Sequence, residues 1–239
     1  ISAYNYFNNG GTSLIVARVK SGSYTPATSS VISNYLNVAS SSFTLQTLSE
    51  GIIMNSTSPE VSGSLTSGSR DNLRWQITNS NTASGTFNVV IRQGNDKNVA
   101  PTILESWNNV SLDPNSSRFI SKVIGDQVLS YNSTSVQIEA STGSFPNQSR
   151  YVRVTNVTPL PNYLDNNGNA VTLYTASIPQ NGTGSFGGAT GDVKAGANFY
   201  ENINGTNTQG LVAGNYDSMV NLLANRDDYQ FNILSTPGL

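Results

Sequence analysis

The side chains most often recruited for nucleophilic and metal chemistry are missing from this chain: its 239 residues include no histidine and no cysteine. Ser-His and Cys-His nucleophile pairs are therefore excluded, and zinc loses its commonest ligands. What remains is carboxylate chemistry. Glu105 and Glu139 fall on separate strand-patterned stretches, and a glycosidase-type pair would need them roughly 5–9.5 Å apart, which nothing in the sequence requires. Asp227 and Asp228 sit beside Arg226, but neighbouring residues on a strand point to opposite faces. A solvated turn between helix and strand is the better reading there. The stretch DNNGN (165–169) alternates side-chain oxygens as calcium loops do, yet Gly168 is fourth and Ala176 stands where a bidentate Glu is needed. A hairpin turn fits better. GTGSFGGATGD (182–192) is glycine-rich but lacks the Lys-Ser or Lys-Thr of a phosphate cradle, so it reads as a flexible loop. Trp75 and Trp107 could form a sugar platform, although their apolar flanks favour core packing.

Composition narrows the field further. Lys and Arg total 12 against 14 Asp and Glu, a net charge of −2 with no basic tract, so a phosphate-neutralising face for nucleic acid is not expected. Apolar residues make up 36% and charged residues 11%, enough for a sizeable core beneath an uncharged polar surface. No apolar run approaches the ~20 residues of a membrane-crossing helix, and no signal peptide is visible, so a soluble chain is expected. Asn-x-Ser/Thr triplets at Asn55, Asn181 and Asn204 arise by chance in so Asn-, Ser- and Thr-rich a sequence.

The elements that would position these residues are mostly strands. SFTLQTLSEG (42–51), NLRWQITNS (72–80), GTFNVVIRQG (85–94) and APTILESWNNV (100–110) read as strands. Phe87, Val89 and Ile91 alternate with polar residues, the mark of a half-buried antiparallel strand. SVQIEA (135–140), RYVRVT (150–155) and NAVTLYTA (169–176) follow. In LDPNSSRFISKVIGDQ, Asp113 as cap, Pro114 at the first position and an apolar stripe from Phe119 to Ile124 predict a helix over 114–124, ended by Gly125. Residues 177–214 read as a long irregular loop.

The two ends repeat one pattern. Residues 1–9, with Tyr4, Tyr6 and Phe7, suit a helix capped by Gly10 and Gly11, and SLIVARV (13–19) then reads as a strand buried on both faces. Asn215 starts a helix carrying Tyr216, Met219, Val220 and Leu223, and YQFNILSTPGL (229–239) reads as a strand stopped at Pro237-Gly238. The expectation is α+β and β-rich: helix-strand pieces of one α/β core sheet at 1–20 and 215–239, with a mostly antiparallel β domain, 21–214, inserted between them. Residues 13–19 and 230–235 should then lie in one sheet.

Four stretches in order resemble the tail sheath proteins of contractile-tailed, myovirus-type bacteriophages. They are YNYFNNGGTSLIVARV with Gly10, Gly11 and Arg18; GTFNVVIRQG followed by ESWNNVSLDPNSSRFISKVIGDQ with Glu105, Asp113, Pro114 and Gly125; the glycine-rich GSFGGATGD; and DDYQFNILSTPG with Asp228, Pro237 and Gly238. The resemblance implies an internal fragment of a structural virion protein with no active site and no cofactor. Its partners would be further sheath subunits in hexameric rings and the tail tube protein, with no nucleic acid or membrane. It would be assembled in the host bacterial cytoplasm and would drive the tube through the host envelope during genome ejection. Such helical assembly uses heterologous interfaces. Terminal arms that link subunits in that family would lie outside 1–239, so the fragment alone is expected to be monomeric. The alternatives are the sheath of a non-viral contractile injection machine, separable by gene neighbourhood, and a β-sandwich adhesin or carbohydrate-binding module, supported by the two tryptophans.

Overall fold

The computed structural model describes residues 2–17, 19, 24–34, 41–51, 60–61, 64–65, 68, 70–191, 214 and 216–235. The chain forms two compact units. One comprises Ile1–Gly22, Tyr131–Glu139 and Val193–Leu239, the other Ser23–Ser130 and Ala140–Asp192. The fold is β-rich α+β with mostly antiparallel sheets.

The second unit is built on one antiparallel sheet. Its strands are β1 (Pro26–Ser29), β2 (Ile32–Ser33), β3 (Ser42–Glu50), β6 (Leu73–Asn81), β7 (Thr86–Gln93), β8 (Ile103–Ser111), β11 (Val152–Thr158) and β12 (Gly182–Gly187). A separate short pair, β4 (Glu60–Val61) and β5 (Ser64–Leu65), also lies in this unit. The sheet runs β11-β3-β1-β12-β6-β7-β8, with β2 paired to β3. Period-two burial sets the inner face: Phe87, Val89 and Ile91 of β7 are fully buried, as are Phe43 and Leu45 of β3. In the sheet order β3 and β7 are separated by β1, β12 and β6, which in a flat sheet would hold them roughly 19 Å apart. Yet the Phe43 and Phe87 rings stack with centroids 5.7 Å apart. The sheet therefore curls on itself around a single core.

The seam between the edge strands β8 and β11 is filled rather than paired. Helix α2 (Ile120–Ile124) packs against both strands, with Ile120 and Ile124 fully buried. The Gly125 carbonyl accepts from the Val154 N–H at 2.8 Å, and the Ile124 carbonyl accepts from the Gln148 and Ser149 N–H groups.

Helix α2 is shorter than the 114–124 expected. Asp113 does not cap it: its Oδ1 accepts the Asn115 N–H at 2.9 Å and its Oδ2 the Asn162 N–H at 3.1 Å. Ser116 likewise accepts the Arg118 N–H through its side chain. These local side-chain bonds hold 113–118 in turns and compete with helix formation. Pro114 lies in this turn, and its carbonyl accepts from Lys122 Nζ. Two further expectations change. Residues 169–176 form no strand, only a bridge from Ala170 to Leu164 and a 3-10 turn at Thr172–Tyr174. The glycine-rich run, expected to be loop, supplies β12 near the centre of the sheet. Gly184 of β12 pairs with Trp75, and a Cβ there would lie 2.4 Å from the indole ring.

The first unit holds α1 (Ser2–Asn8), α3 (Tyr216–Leu223) and the turn end of the hairpin formed by β9 (Val128–Asn132) and β10 (Gln137–Thr142). Helix α1 ends as expected. Gly10 takes φ +91°, its N–H bonds the Phe7 carbonyl, and the Gly11 N–H bonds the Tyr6 carbonyl at 3.0 Å, the paired bonds of a Schellman cap. Asn215, expected to cap α3, lies outside the described residues. The strands expected at 13–19 and 229–239 do not form over the described residues 13–17, 19 and 229–235. Leu14, Ile15, Val16, Phe231, Ile233 and Leu234 are exposed. A strand exists only through a ladder partner, and neither segment has one among the described residues.

Candidate functional site

Among the described residues, a buried cluster of charged groups sits on the outer face of β6 and β7, where Arg74 and Arg92 are directly opposite in register. Like charges facing across a ladder repel, and both side chains are almost fully buried. The β7–β8 loop resolves the conflict by folding Asp96 over them. Its Oδ1 accepts from Nη1 of Arg74 and Nη2 of Arg92, each at 2.9 Å. Its Oδ2 accepts from Arg92 Nε at 2.7 Å and the Thr102 N–H at 2.8 Å. Arg92 Nη1 also donates to Asn98 Oδ1 and Gln76 Oε1. With both carboxylate oxygens doubly engaged and buried, the cluster anchors a loop; it offers no open position to a substrate.

The sequence pattern does not single out this cluster, because an arginine among apolar strand residues reads as solvated. The available signal is Arg92 and Asp96 at i,i+4 across a turn, with a second arginine in NLRWQIT.

The residues singled out by sequence are dispersed. Glu105, on the edge strand β8, closes the seam: its Oε2 accepts from Ser149 Oγ at 2.6 Å and its Oε1 from the Arg150 N–H at 2.9 Å. Gly125, at φ +103°, lies where a Cβ would meet the Asn147 backbone at 2.3 Å. Asp126, next along, accepts the Ser144 and Phe145 N–H groups through Oδ1. Glu105, Asp113, Pro114 and Gly125 thus belong to the structure around the seam. Gly10 and Gly11 form the α1 cap. Asp228, in the turn after α3, accepts from Asn225 Nδ2 at 2.9 Å and Gln137 Nε2 at 3.2 Å. Arg18, Pro237 and Gly238 lie outside the described residues.

The other candidate groups also have local partners. Glu139 accepts from Ser135 and Asn132, and these bonds hold its carboxyl below the usual range, Ser135 contributing most. Asp165 folds DNNGN into a turn, accepting the Asn167 and Asn169 N–H groups at 2.8 Å. Those backbone bonds, Asn169 first, lower its carboxyl too. Burial raises the Tyr163 hydroxyl, which donates to the Thr82 carbonyl at 2.7 Å. Desolvation lowers Arg153, opposed by Asp126. Among the described residues no three His, Cys, Asp or Glu side chains come together as metal ligands.

Trp75 is 8% exposed, and Trp107, paired with Val89 across β7 and β8, packs against the core. Trp75 thus has little ring face left for a sugar. No protein-family model matches the chain, and no curated protein or solved structure matches it either.

Proposed function

We propose that the chain is part of the contractile tail sheath subunit of a myovirus-type bacteriophage, a structural protein that surrounds the tail tube and drives it through the host envelope. One observation carries this reading: the aromatic-rich Asn-Gly-Gly opening, the ESWNNVSLDPNSSRFISKVIGD block, the GSFGGATGD run and the closing DDYQFNILSTPG occur in that order across nearly the whole chain.

Several features of the fold are compatible with it. The opening helix ends in the glycine cap that its Asn-Gly-Gly motif suggests. The ESWNNVSLDPNSSRFISKVIGD block contributes the Glu105 clasp and the short helix at the seam. Residues 13–17 and 230–235 carry strand-type apolar patterns and are exposed, as segments completed by neighbouring chain would be.

The test is co-sedimentation of the complete gene product with purified tail tube protein. The proposal expects both to pellet together as large assemblies. A gene product that stays in the supernatant as a small species, alone and with tube protein, overturns it.

A further inference from the structure

Among the described residues Asn9, Asn167 and Asn181 each precede a glycine. In an Asn-Gly dipeptide the side-chain amide can close on the next backbone nitrogen with little hindrance, because glycine brings no side chain to crowd the ring and leaves the backbone free to reach the closing geometry. All three asparagines are exposed, so what separates them is what holds each amide.

Asn181 is held on both sides. Its Oδ1 accepts the Ser80 N–H at 3.1 Å and the Ser80 hydroxyl at 3.0 Å. Gly182, which carries the nitrogen that would attack, begins β12 and pairs with Ile77 of β6. Asn9 is tied at the end of α1, its Nδ2 donating to the Asn5 carbonyl at 2.7 Å. Asn167 differs. Its backbone N–H bonds Asp165 Oδ1, but among the described residues no group bonds its side-chain amide. It sits in the turn closed by the Leu164–Ala170 bridge, in which residues 164–169 are all exposed. The Gly168 N–H bonds the Asp165 carbonyl at 3.0 Å, so one bond of an exposed turn has to open before this nitrogen can react. Exposed turns open locally at far lower cost than paired strands inside a sheet.

We propose that Asn167 is a site of spontaneous covalent modification, converting to aspartate and isoaspartate. The Gly168 nitrogen bonds to Asn167 Cγ as the Cγ–Nδ2 bond breaks, and the proton lost from that nitrogen leaves with the departing ammonia. The resulting succinimide takes up water at one carbonyl or the other, giving aspartate or isoaspartate with no change of oxidation state. Either product places a second negative charge near the Asp165 carboxylate. The isoaspartate also carries the main chain through an added CH₂, inside the turn that Asp165 holds through the Asn167 and Asn169 N–H groups.

The test is ageing of the 239-residue chain in mildly alkaline buffer, followed by peptide mapping with mass spectrometry and by labelling with an isoaspartyl methyltransferase. In the folded protein, acid should accumulate at 167 about tenfold faster than at 181, because only the latter amide and its attacking nitrogen are both restrained. In concentrated urea, where the restraints are gone and both sites are plain Asn-Gly, the two rates should converge to within about threefold. Modification at 181 as fast as at 167 in the folded protein, or an undiminished difference in urea, would overturn the assignment.

Discussion

Arg74 and Arg92 face one another across β6 and β7, both buried, and the single carboxylate of Asp96 bonds to both guanidinium groups. Removing the carboxylate leaves two buried cations opposed, the situation in which breaking a buried ion pair costs about 3–5 kcal/mol. Asp96→Asn is expected to lose stability on this scale, measured as a fall in the denaturant midpoint. A loss indistinguishable from that of an exposed Asp→Asn control would show that the cluster does not hold the loop.

The curl of the sheet rests on contacts across its interior, of which the Phe43–Phe87 stack is the plainest. Phe87→Ala is expected to cost about 3–5 kcal/mol, as large-to-small core substitutions do. A double-mutant cycle with Phe43→Ala should return a coupling of about 0.5–1.5 kcal/mol. Additive losses would place the two rings out of contact.

Gly184 and Gly85 are tied to aromatic rings. A Cβ on Gly184 would lie 2.4 Å from the Trp75 ring, and one on Gly85, at φ +70°, would lie 2.4 Å from the Tyr163 ring. Either alanine variant should lose about 1–3 kcal/mol by overpacking, with added backbone strain at Gly85. Gly188 also has positive φ, +80°, but open space around it, so its alanine variant should show the backbone strain alone. Thermal denaturation of the three variants separates the two effects.

Glu139 and Asp165 have folded-state carboxyls lowered by hydrogen bonds. A lowered folded pKa stabilises above the unfolded value, and that contribution is lost as pH falls through the folded one. Melting temperature should therefore decline between about pH 5 and about pH 2. The decline should be shallower in Glu139→Gln/Asp165→Asn. An unchanged acid limb in that variant would show that the two carboxyls do not contribute.

The inward strand faces were legible because burial on one side writes a period of two, as Phe87, Val89 and Ile91 show. Strand β12 was not legible, because glycine propensity argues for loop, while Gly184 sits where only a bare backbone fits under the Trp75 ring. The helix at 120–124 was legible in place but not in length: Asp113 and Ser116 bond local N–H groups that a longer helix would have used. The Asp96 cluster was hidden for a related reason. The outer face of a strand is read as solvent, and only the folded loop reveals that it is covered.

The sheath reading is tested most directly by electron microscopy of the purified complete gene product. The account predicts tubes or stacked hexameric rings. A homogeneous population of small separate particles, under conditions where the protein is folded, would contradict it.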